Sequence, residues 1–150
     1  MKPAKPKAAA PRSTPITKNL IPSYQEDKSA RDTMHNAQCL AGMAFSNALL
    51  GIVHSMAHKT GAAFADCGAH LIHGAANAMY LPKVIAFNAK NAEAKKRYAV
   101  IADYMHLGGR NEDEKLSLLI AELRRMNDAL NIPHCIRNYG ADSLPTEQGF

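Results

Sequence analysis

A chain of 150 residues, 47% of them apolar, has the size of one domain with a modest core. The net charge of +5 does not mark a nucleic-acid-binding domain: residues 1–18 hold five bases and no acid, leaving 13 bases and 13 acids in 19–150. Three cysteines, Cys39, Cys67 and Cys135, are an odd number without CxxC spacing, which excludes a disulfide framework and fits a reduced, cytoplasmic chain.

Residues 1–24 are rich in Pro, Lys and Ala, and prolines at 3, 6, 11 and 15 predict a flexible, disordered tail. The tail lacks the apolar face of a transit helix, and no secretory apolar run follows it. From Thr33 to His58 no Asp, Glu, Lys or Arg occurs, a length that raises a membrane span. Polar His35, Asn36, Gln38, Ser46, Asn47, His54 and Ser55 exclude that span, since hydrocarbon offers them no partners. A helix buried in a soluble bundle is expected instead. It begins near Ser29, with Met34, Ala37, Ala41, Ala44, Phe45, Ala48, Leu49 and Ile52 at helical spacing.

Gly51 is expected to bend or break this element, and Gly61 to stop its second part near Thr60. Residues 61–72 read as a loop. A helix resuming at His73 or Gly74 turns Ala76, Met79, Tyr80, Val84 and Phe87 inward, with a kink at Pro82. After a break at 88–91, Ala94, Tyr98, Ile101 and Met105 mark one face of another helix, ended by HLGGR at 106–110. Asn111 then caps the clearest helix, with Glu114 completing a capping pair and Leu116, Leu119, Ile120, Leu123, Met126 and Leu130 on one stripe. NIP at 131–133 terminates it, and the remainder reads as irregular. No alternating strand pattern occurs, so the fold class is all-α.

The stretch HSMAHKTGAAFADCGAHLIHG (54–74) carries four histidines. His54 and His58, four apart, share a helical face where two imidazoles can meet a metal or a substrate. Ser55 stands where a metalloprotease needs Glu, so peptide hydrolysis is excluded. Catalytic metals usually hold three protein ligands, so further donors must come from elsewhere. His73, at a helix start beside Gly74, is the better of the distal pair, while His70 falls in the loop. The plain alternative is that these histidines are hydrogen-bonded packing residues.

GMAFSNALLGIVHSMAHKTGA (42–62) followed by HGAANAMYLPKVIAFN (73–88) resembles the iron-containing, group III alcohol dehydrogenases. These include butanol dehydrogenases, lactaldehyde reductases and the alcohol dehydrogenase half of bifunctional aldehyde-alcohol dehydrogenases. The resemblance continues through RYAVIADYM and LNIP, covering roughly Arg31 to Ile136. It implies a partial helical bundle, residues 25–150, like the family's C-terminal domain. It implies a divalent metal, Fe2+ or Zn2+, held by one Asp and three His, with His54 and His73 as two of those ligands. His58 takes a proton-handling, catalytic role beside substrate and nicotinamide. The implied reaction interconverts a small primary alcohol and its aldehyde with NAD or NADP.

The family's upstream Asp-x-x-x-His-Ala ligands have no counterpart before His54, and no Gly-rich phosphate loop follows a strand. The spacing from His54 to His73 is longer than in lactaldehyde reductases, which keeps both His70 and His73 open as the second ligand. The expectation is a truncated dehydrogenase fragment, inactive alone, without nucleic-acid or membrane partners. The alternative is a non-enzymatic helical fragment that binds metal or associates with a full-length homologous subunit.

Overall fold

The computed structural model describes residues 14–48, 51–65 and 71–139. Among these, six α-helices run in chain order, with no strand: α1 Thr14–Tyr24, α2 Lys28–Ala48, α3 Ile52–Ala63, α4 His73–Asn88, α5 Ala92–Tyr104 and α6 Glu112–Ala129. A short 3-10 turn, Ile136–Tyr139, follows. The all-α expectation holds. Helices α1 and α2 pack together, as do α3 with α4 and α5 with α6, while α4 also lies against α6.

The expected tail needs correction. Residues 1–13 lie outside the described residues, but 14–24 are helical. Pro15 falls in the first turn of α1, where a missing N–H costs nothing, while Pro22 lies inside the helix and forgoes the bond to the Lys18 carbonyl. Asp27 then starts α2: its Oδ1 accepts from Ala30 N at 2.8 Å and its carbonyl from Arg31 N at 2.9 Å.

The expectation that α2 is buried also fails in part. Ala30 and Ala37 are buried, but Leu40, Met43 and Phe45 are exposed. Lack of charge permits burial without supplying a neighbour, and the main neighbour of α2 is α1. Among the described residues no helix is long and apolar enough to cross a membrane. Gly51 does separate α2 from α3, standing in extended conformation at the N-cap. Gly61 does not stop α3, which continues to Ala63; a Cβ there would meet nothing within 4 Å.

Two apolar clusters hold the bundle. One joins Ala57 of α3 to Ala76, Met79, Tyr80 and Val84 of α4, covered by Ile132, Ile136 and Tyr139. The other joins Ile85 of α4, Ala102 of α5 and Leu119 of α6. Leu119 is 1% exposed. Four of the five inward residues expected on α4 are buried, but Phe87 is 63% exposed with Lys90 Nζ 5.1 Å from its ring centroid. On α5 the buried positions are Ala99 and Ala102, while Ile101 borders an apolar cavity of about 380 Å³ that also reaches Ile52, Val53 and Leu81.

The last two helices are locally encoded. Asn91 Oδ1 accepts from Glu93 N and Ala94 N, capping α5. Asn111 Oδ1 accepts from Glu114 N at 2.9 Å, the cap expected from the sequence. The Glu114 carboxylate reaches back one residue further than a capping box, accepting from Arg110 N at 2.8 Å. Between the helices Gly108 and Gly109 adopt φ of +83° and +100°. A Cβ on Gly109 would lie 2.8 Å from Lys115 Cγ, so this corner requires glycine. Ion pairs Lys95–Asp113 (2.7 Å) and Lys115–Asp103 (2.8 Å) tie α5 to α6.

Candidate metal-binding histidine site

His54 sits in the first turn of α3, His58 one turn later, and His73 is the first residue of α4. The i, i+4 spacing puts the first two on one face. Bringing the third to them needs the two helices packed closely. Ala57 and Ala76, 2% and 0% exposed, provide that, because methyl side chains at the contact let the backbones approach. Farther along, Thr60 Oγ1 and Tyr80 Oη share a hydrogen bond of 2.8 Å, which pins the same pair.

The rings converge. Centroids of His58 and His73 are 4.5 Å apart, those of His54 and His73 5.1 Å, and those of His54 and His58 6.1 Å. Phe45 of α2 stands 6.3 Å from His54 and walls the group on one side. His54 is half-buried, while His58 and His73 are exposed. His70 lies outside the described residues.

Imidazole nitrogens are donors of the kind that iron and zinc accept. Two imidazoles bound at about 2.0–2.1 Å with an angle between square and tetrahedral place their centroids roughly 4.5 to 5.2 Å apart. The His54–His73 and His58–His73 separations meet that condition. Among the described residues, however, no group of three or more His, Cys, Asp and Glu side chains is set to hold a metal ion. Two histidines within sharing distance therefore need donors from elsewhere, as the sequence implies.

One neighbour escaped the sequence reading. Asn77, one turn into α4, has its Nδ2 3.0 Å from His73 Nε2 and 3.0 Å from the His73 carbonyl oxygen. Its Oδ1 is buried without a hydrogen-bond partner among the described residues. The signal was present as the Asn of HGAANA, four residues after His73, where a helix brings side chains together.

Fold and site thus define an all-helical domain whose paired helices present clustered histidines. The chain belongs to the iron-containing alcohol dehydrogenase family: residues 13–148 match its description "Fe-containing alcohol dehydrogenase family, C-terminal". The match begins at residue 13, so α1 lies within the family's domain. The chain is 52% identical over 125 residues to the NADPH-dependent butanol dehydrogenase of Clostridium saccharobutylicum, covering 83% of this chain and 30% of that protein. It is 38% identical over 144 residues to the bifunctional aldehyde-alcohol dehydrogenase AdhE of Escherichia coli (83% and 16%). It is 40% identical over 127 residues to alcohol dehydrogenase 4 of Saccharomyces cerevisiae (83% and 31%). The chain therefore spans less than a third of the length of these relatives.

Proposed function

We propose that this chain forms the helical part of an NAD(P)-linked, metal-dependent alcohol dehydrogenase acting on small primary alcohols and aldehydes in the cytoplasm. His54 and His73 are two ligands of its divalent iron or zinc, and His58 handles the proton. The observation that carries this reading is the convergence of His54, His58 and His73 from two helices. The names of the relatives support the reaction class, and that of the Clostridium protein specifies NADPH and butanol.

A bound metal supplies Lewis acidity toward the carbonyl or alcohol oxygen. The chain's own residues do the rest that lies within reach. Tyr80 and Thr60 hold α3 against α4, keeping the histidines in register. His58, exposed beside His73, can pass a proton between substrate and solvent. The remaining ligands and the nucleotide site are assigned to residues outside these 150, so the 150-residue chain alone is expected to show no turnover.

Calorimetric titration with Zn(II), and anaerobically with Fe(II), tests the ligand assignment. His54→Ala and His73→Ala should each weaken binding by at least about tenfold; affinity equal to the parent in both would sink it. Measurable alcohol oxidation by the chain alone that disappears in His58→Ala would overturn the expectation of inactivity. A second reading, a metal-binding or subunit-interaction module that joins a full-length homologue, is favoured by exposed Leu40, Met43, Phe45, Ile52 and Met56 on α2 and α3. Co-purification with a full-length family member, without any restored turnover, would support it.

A further inference from the structure

We propose that Asn77 is a positioning residue that fixes His73 as the Nδ1–H tautomer and so selects Nε2 as the nitrogen presented to a metal. This inference rests on the assignment of His73 as a ligand.

The orientation of the Asn77 amide follows from the His73 carbonyl. That oxygen can only accept, so the group 3.0 Å from it must be the amide nitrogen. The same nitrogen lies 3.0 Å from His73 Nε2. An amide nitrogen only donates, so Nε2 must be the accepting, unprotonated nitrogen, and the neutral ring carries its proton on Nδ1. Turning the amide over would set Oδ1 against the carbonyl oxygen, two acceptors facing each other.

Oδ1, which has no hydrogen-bond partner among the described residues, shows what this orientation costs. A buried acceptor without a partner is unfavourable, yet the amide keeps it so that both of its good contacts go to His73. A neutral imidazole in water prefers its proton on Nε2, which would block that nitrogen. Asn77 reverses the preference while leaving Nε2 covered only by a hydrogen bond. A metal ion can displace that bond, and Nδ2 then still holds the carbonyl. The amide is a placeholder for the ion, and the first turn of α4 stays ordered in both states.

Nitrogen-15 correlation spectra of the histidine rings, recorded on the 150-residue chain above the imidazole titration range, test this without any metal. His73 should show Nδ1–H in the parent. Asn77→Ala should convert most of it to Nε2–H, with circular dichroism unchanged. Asn77→Asp, nearly isosteric but offering only acceptors, should place a proton on Nε2 and covers the case in which the alanine variant folds poorly. Nε2–H in the parent, or the parental pattern persisting in both variants, would overturn the proposal. With Zn(II) added to the parent, the ion should take His73 Nε2 and the Asn77 amide signals should shift. Coordination through Nδ1 would also overturn it. If Zn(II) leaves His73 untouched, the ligand assignment fails while the tautomer result still decides the role of Asn77.

Discussion

The α5–α6 hairpin and the α3–α4 pair are built on different terms. Asparagine side chains cap α5 and α6, whereas α3 and α4 begin at Gly51 and Ile72, which make no side-chain cap hydrogen bond. Every ion pair among the described residues involves α5 or α6. The pair that carries the histidines is instead held by an apolar cluster and one hydroxyl hydrogen bond. Side-chain caps and ion pairs are concentrated in one half, and the half that carries the histidines relies on apolar packing instead. Residues at a site that must accept a ligand contribute little to holding the chain together.

Substitutions should separate the two halves clearly. Leu119→Ala, emptying the most buried large side chain, should cost about 2–5 kcal/mol by urea unfolding. A loss under about 1 kcal/mol would mean that the α5–α6 half is not where stability resides. Gly109→Ala forces a Cβ into Lys115 at φ +100° and should cost about 2–3 kcal/mol in the same assay. Removing the cap with Asn111→Ala should cost about 1 kcal/mol. His54→Ala, His58→Ala and His73→Ala should each stay within about 0.5 kcal/mol of the parent in the absence of metal. A large loss in any of them would erase the division.

Acid sharpens the same contrast. The Arg110 side chain and its backbone N–H hold Glu114 below the usual glutamate range, and the Arg125 guanidinium does the same for Glu122. A lowered folded value stabilises the fold above the unfolded value of about 4.3 and is lost as pH falls through the folded one. The melting temperature should therefore drop below about pH 4. The Glu114→Gln, Glu122→Gln double variant should start lower at neutral pH and fall less. An identical acid slope in both would place the sensitivity elsewhere.

Local chemistry made part of this structure readable in advance. Asn111 with Glu114 three residues on, and the stripe from Leu116 to Leu130, locate α6 because capping and periodicity act within one turn. The i, i+4 spacing of His54 and His58 likewise fixes a shared face. What depended on neighbours was less accessible. Counting prolines hid α1: Pro15 falls in the first turn, where a helix tolerates it, and the helix runs on through Pro22. The uncharged run of α2 says which residues tolerate burial, not which become buried, and Met43 is exposed. His73 meets His54 and His58 only because Ala57 and Ala76 let two helices close, and Asn77 acquires meaning only once the His73 ring is in place.

The corner at Gly108 and Gly109 has a bearing on how the chain folds. It joins α5 to α6 through the short connection 105–111, so their contacts, including Lys115–Asp103 across 12 residues, close small loops. Local contacts form early, because little chain entropy is lost in closing them. The hairpin can thus serve as the nucleus on which α4 docks through Ile85 against Leu119. The histidine face, joined to that nucleus by α4, would then be assembled after it.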